Sequence, residues 1–323
     1  MLKLGNITLK LPFFQAPLSG YSDYAMRKLA RDFGCPLTFA GVMLAKSAAH
    51  PKVLAKAVFR PHDDEHPIGA QILGAEPAVM AKAAKDLVNA GYDLIDLNFA
   101  CPAPKVLRRG RGGALLNQPD KAIEIFRQVR DAVTCPLSVK LRIGYNRKPE
   151  SVDNFWKIVE GTINFGADAL VVHGRTIVEK FRGVADWKIL TELKQKYPDT
   201  TIIGSGDLFD AETIVKKMNS TGIDGIVIAR GAIGNPWIFR DLKALFEAGT
   251  AQPEPSLEQQ KQTILYHFQM VSRLYDKKKN TGYFRKFLAN YSKLHPDRKK
   301  VGKILLAAQD KAQLIAAIEK CYA

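Results

Sequence analysis

The sequence lacks the features of an exported, disulfide-stabilised or membrane-spanning protein. Its 323 residues include four cysteines, and no two of them form a Cys-x-x-Cys pair. No uncharged apolar run approaches the roughly 18 residues that a membrane helix needs, and residues 1–20 contain no apolar segment typical of a signal peptide. We therefore expect a cytoplasmic protein with reduced thiols and no membrane partner.

Two further absences narrow the possible architectures and chemistries. The chain contains no strict Gly-x-Gly-x-x-Gly segment, the turn with which a doubly wound dinucleotide-binding sheet usually begins. The residues around Cys101 match no metal-ligand spacing, and we expect no bound metal. A doubly wound sheet is therefore the less favoured of the two common α/β architectures.

Positive charge is what the chain has in excess. Lys and Arg number 48 against 32 Asp and Glu, which gives a net charge of +16. Within residues 273–303 the counts are 11 and 2. Aromatic residues are interleaved there, namely Tyr275, Tyr283, Phe284, Phe287, Tyr291 and His295. This mixture suits the phosphates and bases of a folded RNA; the alternative is that the aromatic residues form the core of a helical bundle.

Up to residue 248 the hydrophobic pattern alternates between strands and helices. The predicted strands are Pro12–Pro17, Leu37–Gly41, Pro67–Leu73, Leu94–Asn98, Leu137–Leu141, Ala169–His173, Thr201–Gly204 and Gly225–Ala229. The predicted helices between them are Asp23–Phe33, Pro77–Asn89, Pro119–Ala132, Val152–Phe165, Asp186–Lys196 and Ala211–Asn219. Eight strands that alternate with helices predict a (β/α)8 TIM barrel over residues 1–248.

A small all-α domain is predicted to follow the barrel. Residues 248–256 are typical of a linker, and Ser256 with Gln259 forms a capping box at the start of the next helix. The predicted helices are Leu257–Tyr275, Gly282–Ser292, Arg298–Ala308 and Ala312–Cys321. The basic domain therefore occupies residues 256–323.

Polar residues stand at the carboxyl ends of the predicted strands, where a TIM barrel builds its active site. Lys140 is the most unusual of them, because lysine is a poor choice inside a strand. It is equally compatible with a Schiff-base lysine, a cation beside the electron-rich edge of a flavin, and a buried salt bridge with Asp96. His173 stands at the next strand end and could be a ligand or a core residue.

The loops after the last two strands and the loop after the fourth strand offer further chemistry. Residues 204–207 and 229–232 contain small residues and Arg230, which indicate a phosphate site, although a tight turn is the alternative. Cys101 follows a strand end and precedes a run of basic residues. These would favour a thiolate or a bound anion, so Cys101 is a candidate nucleophile or general acid.

In the segments at the ends of its predicted strands, the chain resembles the tRNA-dihydrouridine synthases. The segments that carry the resemblance are Ala16–Asp23, Gln71–Gly74, Asp96–Val106, Val139–Gly144, Val172–Thr176, Gly204–Asp207 and Arg230–Trp237. The most specific are Asn98-x-x-Cys101-Pro102 and the His-Gly-Arg-Thr tetrapeptide that begins at His173. The sequence departs from the family's more frequent residues at three positions: Ala100 replaces Gly, Ser205 replaces Asn and Ala229 replaces Gly. Each change is small and affects the geometry of the loop, not the assignment to the family.

The resemblance implies an FMN-dependent oxidoreductase that reduces a D-loop uridine of tRNA with NADPH or NADH. Cys101 would be the general acid that protonates uracil C5. The implied flavin-binding residues are Pro17, Leu18, Ser19, Gln71, Lys140, His173, Ser205, Gly206, Asp207, Ala229 and Arg230. The expected substrate contacts are Asn98, Arg142 and Arg175 and, from the charge of the tail, Arg285 and Lys286. The run Lys277, Lys278 and Lys279 is expected to bind RNA phosphates, and a solvated turn between helices is the alternative.

Two other functions remain compatible with parts of the sequence. An FMN-dependent dehydrogenase of a free pyrimidine base, of the dihydroorotate or dihydropyrimidine type, would explain the flavin residues and the thiol but not the basic tail. A non-catalytic RNA-binding module would explain the tail but not Cys101, Lys140 and His173 together. We expect the protein to be a monomer.

Overall fold

The computed structural model describes residues 1–48, 50–276 and 280–323, so the predicted RNA contacts at Lys277, Lys278 and Lys279 lie outside the described residues. The strands are β1 Leu2–Leu4, β2 Ile7–Leu9, β3 Phe13–Gln15, β4 Thr38–Phe39, β5 Met43–Leu44, β6 Ile68–Leu73, β7 Leu94–Asn98, β8 Leu137–Arg142, β9 Ala169–His173, β10 Ile202–Ser205 and β11 Gly225–Ile228. The helices are α1 Tyr24–Asp32, α2 Pro51–Leu54, α3 Pro77–Asn89, α4 Pro104–Leu107, α5 Pro119–Ala132, α6 Pro149–Asn164, α7 Lys188–Lys196, α8 Ala211–Thr221, α9 Trp237–Ala248, α10 Leu257–Leu274, α11 Asn280–Tyr291, α12 Arg298–Ala307 and α13 Lys311–Cys321.

The central sheet is a parallel barrel. Its strands pair in the order β3-β11-β10-β9-β8-β7-β6-β4, and β5 adds a short pairing to β6. The backbone N–H of Gln15 donates to the carbonyl of Leu37 at 3.1 Å, which links β3 to the start of β4. Helices connect the successive parallel strands, as crossover connections require. The predicted (β/α)8 TIM barrel is confirmed.

Alternate residues of each strand point into the barrel, because successive side chains on a strand face opposite sides. The lower interior is apolar and includes Phe14, Leu94 and Val171. A hairpin of β1 and β2, which the sequence patterns did not predict, adds Leu2 and Leu4 to this same cluster. Polar residues are consequently confined to the other end of the barrel, at the carboxyl ends of the strands.

Local sequence features set the helix boundaries as predicted. The Asp23 carboxylate caps α1 by accepting the N–H of Met26 at 2.9 Å. Ser256 and Gln259 make both hydrogen bonds of the capping box that opens α10, at 3.2 and 2.9 Å. Gly222 ends α8 in the left-handed conformation, which glycine adopts without steric cost.

The four C-terminal helices pack directly on the barrel. Phe287 of α11 meets the ring of Tyr21 at 5.5 Å, and Tyr291 meets Trp237 at 6.2 Å, both edge to face. Phe284, Phe287 and Tyr291 are almost completely buried in this shared core. Of the two interpretations that the sequence left open, the helical core therefore applies to these three residues, because their rings are packed away from solvent and cannot stack on RNA bases.

Among the described residues, no helix combines the length and the apolar character that crossing a membrane requires.

Candidate active site

A cavity of about 280 Å³ opens at the carboxyl ends of the barrel strands. It brings together fourteen of the residues that the sequence analysis nominated: Pro17, Leu18, Ser19, Gln71, Asn98, Cys101, Lys140, Arg142, His173, Ser205, Gly206, Asp207, Ala229 and Arg230. These residues come from seven barrel strands and the loops that follow them. One cavity therefore unites candidates that are spread over more than 200 residues of sequence.

A chain of side-chain hydrogen bonds forms the floor of the cavity. The Asp96 carboxylate accepts the Ser138 hydroxyl at 2.6 Å and the Gln71 amide N–H at 2.7 Å. The Gln71 amide oxygen in turn accepts the Asn98 amide N–H at 2.7 Å. Because Asp96 can only accept when it is ionised, it fixes the orientation of the Gln71 amide, and Gln71 then fixes that of Asn98.

The same chain extends to the thiol loop. The Asn98 side-chain oxygen accepts the backbone N–H groups of Ala100 and Cys101, at 3.1 and 3.0 Å. The carbonyl of Cys101 accepts the N–H of Gly113 at 3.1 Å, which ties the basic loop after Cys101 back onto it. The half-buried Cys101 is thus held at the cavity wall from both sides.

Lys140 as a whole is half-buried, but its ammonium nitrogen is buried and has no hydrogen-bond partner among the described residues. Burial lowers the pKa of Lys140 to about 8, against the opposing attraction of Asp96. Burial also raises the pKa of Asp96 to about 6, while Ser138 and Gln71 oppose that rise. A buried ammonium without a partner is costly, so the cavity has a donor that suits an electron-rich ligand.

His173 faces the cavity as a neutral imidazole. Burial, together with the nearby cations Lys140, Arg142 and Arg175, lowers the pKa of His173 to about 2. A neutral ring carries one donor and one acceptor. His173 can therefore hydrogen-bond a ligand, but it does not supply positive charge at neutral pH.

The loops after β10 and β11 leave a shallow cradle for an anion. At Gly206 the backbone φ is +118°, and an added Cβ would lie 2.7 Å from Ala185 and 2.8 Å from His173. At Gly231 an added Cβ would lie 2.1 Å from the Leu208 carbonyl oxygen. The Arg230 guanidinium beside these glycines forms no hydrogen bond or ion pair with the described residues. Bare backbone with a free guanidinium is a suitable environment for a phosphate.

Arg142 and Arg175 are largely occupied by the protein's own carbonyls. Arg142 donates to the carbonyls of Ala100, Thr176 and Lys180 at 2.7–3.1 Å. Arg175 is buried behind His173 and pairs with the Asp207 carboxylate at 2.7 Å. Their predicted roles as substrate contacts stay predictions, and the structure adds a role in holding loops.

Arg285 and Lys286 lie on α11, away from the cavity. Arg285 donates to the carbonyl of Ala308 at 2.6 Å, at the end of α12. Lys286 donates to the carbonyl of Gly20, and its ammonium lies 3.0 Å from the centre of the Tyr283 ring. Their assignment as RNA contacts remains a prediction.

Sequence reasoning missed two aromatic residues at the cavity mouth, Phe181 and Phe209. Both lie in loops that follow barrel strands, the elements from which TIM-barrel sites are built, and this position could have identified them. Among the described residues there is no cluster of three or more His, Cys, Asp or Glu side chains that could hold a metal ion.

Comparison with known proteins connects this geometry to a family. Residues 14–322 match the family model described as dihydrouridine synthase. The chain is 34% identical over 290 residues to tRNA-dihydrouridine synthase B of Pasteurella multocida, which covers 90% of this chain and 86% of that protein. It is 31% identical over 325 residues to the protein of the same name from Proteus vulgaris, at 99% and 98% coverage.

Solved structures show the same fold at greater distance. Histamine dehydrogenase from Rhizobium sp. 4-9 superposes with a TM-score of 0.57 at 17% identity, over 83% of this chain. The chain spans 50% of that protein's length. This likeness concerns the barrel architecture.

Proposed function

The chain belongs to the dihydrouridine synthase family, and we propose that it reduces the C5–C6 double bond of a D-loop uridine in tRNA, with FMN bound in the barrel and NADPH or NADH as reductant. The single observation that carries this proposal is the position of Cys101. Cys101 lines the same cavity as Lys140, whose ammonium is unpartnered, and Arg230, whose guanidinium forms no hydrogen bond with the described residues.

The cavity residues fit a flavin mononucleotide. Lys140 presents an unpartnered ammonium to the cavity, and Gln71, one of whose two amide N–H groups is bound to Asp96, lines the same cavity; the polar edge of a flavin ring would need donors of this kind. The Gly206 and Gly231 backbone with Arg230 offers a place for one phosphate at the rim. The described cavity has one such cradle, which favours FMN over FAD.

The chemistry that a reduced flavin supplies when bound is hydride donation to uracil C6. Cys101 holds the proton that uracil C5 needs, and the Asn98 hydrogen bonds fix the loop that carries the thiol. Neutral His173 can orient a carbonyl without adding charge. A positioned acid of this kind typically accelerates proton transfer about 10²–10⁴-fold.

The basic helical region supports a tRNA substrate over a free base. Residues 251–323 contain 14 Lys and Arg against 6 Asp and Glu, and exposed cations on α12 include Lys299 and Lys300. Phosphate contacts of this kind dominate RNA affinity. A free pyrimidine would not need them, so the dehydrogenase of a free base is the weaker proposal.

The deciding experiment supplies the purified protein with NADPH and an unmodified tRNA transcript, and measures dihydrouridine by mass spectrometry of the digested RNA. We expect dihydrouridine at a D-loop position, and none when Cys101→Ala replaces the wild type. Parallel reactions with uracil and dihydroorotate test the alternative. Turnover of the free bases with none on tRNA would overturn the proposal. Mapping dihydrouridine in tRNA from cells without the gene identifies the position, and substituting NADH identifies the reductant.

A further inference from the structure

Two phenylalanines at the cavity mouth are exposed to an extent that packing does not explain. Phe181, after β9, is 54% exposed, and Phe209, after β10, is 51% exposed. Large apolar side chains left in solvent next to a site commonly have a binding role. The guanidinium carbon of Arg230 lies 4.3 Å from the centre of the Phe181 ring and 5.4 Å from that of Phe209.

The loop that carries Phe181 is firmly anchored. Arg142 donates to the carbonyl of Lys180 at 2.7 Å, and Arg175 donates to that of Arg182 at 3.0 Å. The residues on both sides of Phe181 are therefore each held by a buried arginine. The backbone that carries the exposed ring is thus held on both sides.

Backbone conformation supports a built site. Two residues other than glycine have positive φ in the part of the chain that the structure describes: Lys180 and Asp207, both at +54°. Lys180 directly precedes Phe181, and Asp207 lies two residues before Phe209. Non-glycine residues avoid this region unless the surrounding structure requires it, and such residues cluster at ligand sites.

Arg230 is left free to bind an anion while both rings contact it. The neighbouring Asp207 carboxylate forms its ion pair with Arg175 at 2.7 Å and not with Arg230, and the same oxygen, Oδ2, accepts the N–H of Ala185 at 2.8 Å. Stacking on an aromatic ring restrains a guanidinium through its faces and leaves its N–H edges available. A restrained arginine loses less conformational freedom when it binds than a mobile one.

We propose that Phe181 and Phe209 are positioning residues that hold the Arg230 guanidinium ready for the phosphate of the flavin mononucleotide. We call this arrangement the aromatic clip, Phe181–Arg230–Phe209. It rests on the proposed function, and it adds that phosphate affinity depends on two residues that do not themselves contact the phosphate.

The test compares FMN with riboflavin, which has the same ring system and no phosphate. Dissociation constants for both ligands are measured by flavin fluorescence with apoprotein of the wild type, Phe181→Ala and Phe209→Ala. Phe165→Ala is the matched control, because Phe165 is 41% exposed at the end of α6 and does not line the cavity. The same substitutions are repeated in an Arg230→Met background.

Phe181→Ala and Phe209→Ala should each weaken the binding of FMN about two- to tenfold and the binding of riboflavin by less than about twofold. Phe165→Ala should change neither affinity. In the Arg230→Met background, Phe181→Ala should have no further effect on FMN, because the group that it positions is gone. Since the substituted rings are half exposed, folding is preserved, and circular dichroism verifies it.

Equal weakening of FMN and riboflavin would overturn the aromatic clip, because the rings would then act on the flavin ring system. Unchanged FMN affinity would overturn it as well, and in both cases the proposed function stands. Wild-type apoprotein that binds neither ligand would overturn the proposed function and the aromatic clip together.

Discussion

The side-chain oxygen of Asn98 accepts the backbone N–H of Cys101 at 3.0 Å. Through this bond the buried floor of the barrel determines where the thiol lies, because the other end of the Asn98 amide donates to Gln71 at 2.7 Å. If Cys101 is the general acid of the proposed reaction, this hydrogen-bonded support keeps it in the geometry that proton transfer needs.

Replacing Asn98 should therefore impair turnover more than flavin binding. Asn98→Ala removes both loop hydrogen bonds, and we expect kcat for dihydrouridine formation to fall at least about tenfold. Asn98→Asp keeps the acceptor oxygen but loses the donor to Gln71, and it should retain more activity than alanine. Flavin content, measured by absorbance, should stay near the wild-type value. Wild-type kcat in Asn98→Ala would contradict this role.

Cys101→Ala should separate the two halves of the reaction. We expect the variant to bind flavin and to be reduced by NADPH normally, since the thiol is needed only for the proton to uracil C5. Turnover on tRNA should fall about 10²–10⁴-fold. Cys135→Ala is the matched control, because Cys135 is a half-buried free thiol outside the cavity. Undiminished turnover of Cys101→Ala would mean that another group supplies the proton.

Flavin affinity should depend on pH through Lys140. Burial lowers the pKa of Lys140 to about 8, so the cation is present at pH 7 and is lost as pH rises above 8. If the ammonium attracts the electron-rich flavin edge, FMN affinity falls between pH 7 and pH 9. Lys140→Met should bind FMN more weakly at pH 7 and show a flat profile over this range. Fluorescence titrations at each pH measure the FMN affinity. An FMN affinity of Lys140→Met that still falls between pH 7 and pH 9 would contradict this role of Lys140.

Lys140 should affect the stability of the apoprotein in the opposite direction, so that stability rises with pH where FMN affinity falls. The unfolded lysine keeps its proton up to about pH 10.4, so the unfolded state binds more protons than the folded state above pH 8. The buried ammonium of Lys140 therefore lowers the free energy of unfolding at pH 7, and this destabilisation decreases as pH rises above 8. Urea unfolding of the apoproteins serves as the control. The free energy of unfolding of Lys140→Met should exceed that of the wild type at pH 7, and the difference between the two should be smaller at pH 9.

Lys286 and Arg285 form a matched pair for testing the contact between the helical region and the cavity loop. The Lys286 ammonium and the Tyr283 hydroxyl both donate to the carbonyl of Gly20, next to Ser19. Lys286→Met should therefore accelerate flavin release several-fold, because the loop that lines the cavity loses its support. Arg285→Met removes the same charge but lies against Ala308, and its flavin release should be unchanged. If Lys286→Met weakens only tRNA binding, Lys286 is an RNA contact.

The affinity for tRNA should fall steeply with salt. The slope of log K against log salt is about −0.7 to −0.9 per phosphate contact. The double variant Lys299→Gln, Lys300→Gln should therefore have a less negative slope, by an amount that corresponds to the loss of at most two phosphate contacts. Lys85→Gln on α3 is an exposed control. Point variants are preferable to deleting residues 251–323, because removing the C-terminal helices would uncover Tyr21 and Trp237. An unchanged slope would exclude Lys299 and Lys300 from the RNA interface.

Much of this protein follows from the sequence by itself. Hydrophobic periods of two and 3.6 residues predicted the strands and helices, and α3 and α5 have the predicted bounds. The same period of two places Lys140 and Arg142 on the inner side of one strand. Once the fold is a barrel, these local patterns suffice to nominate the residues of the site, because every strand ends at the same rim.

The tertiary structure decided which of these groups act on one another. The burial of Phe284 and Phe287, the anchoring of Lys286 on Gly20 and the stacking of Phe181 on Arg230 each join segments that lie far apart in sequence. The orientation of the Asn98 amide likewise depends on Gln71 of the neighbouring strand β6, which Asp96 orients in turn. Periodicity records which side of its own element a residue faces. The partner that it meets there depends on strand register and loop path, which are set only when the whole barrel closes.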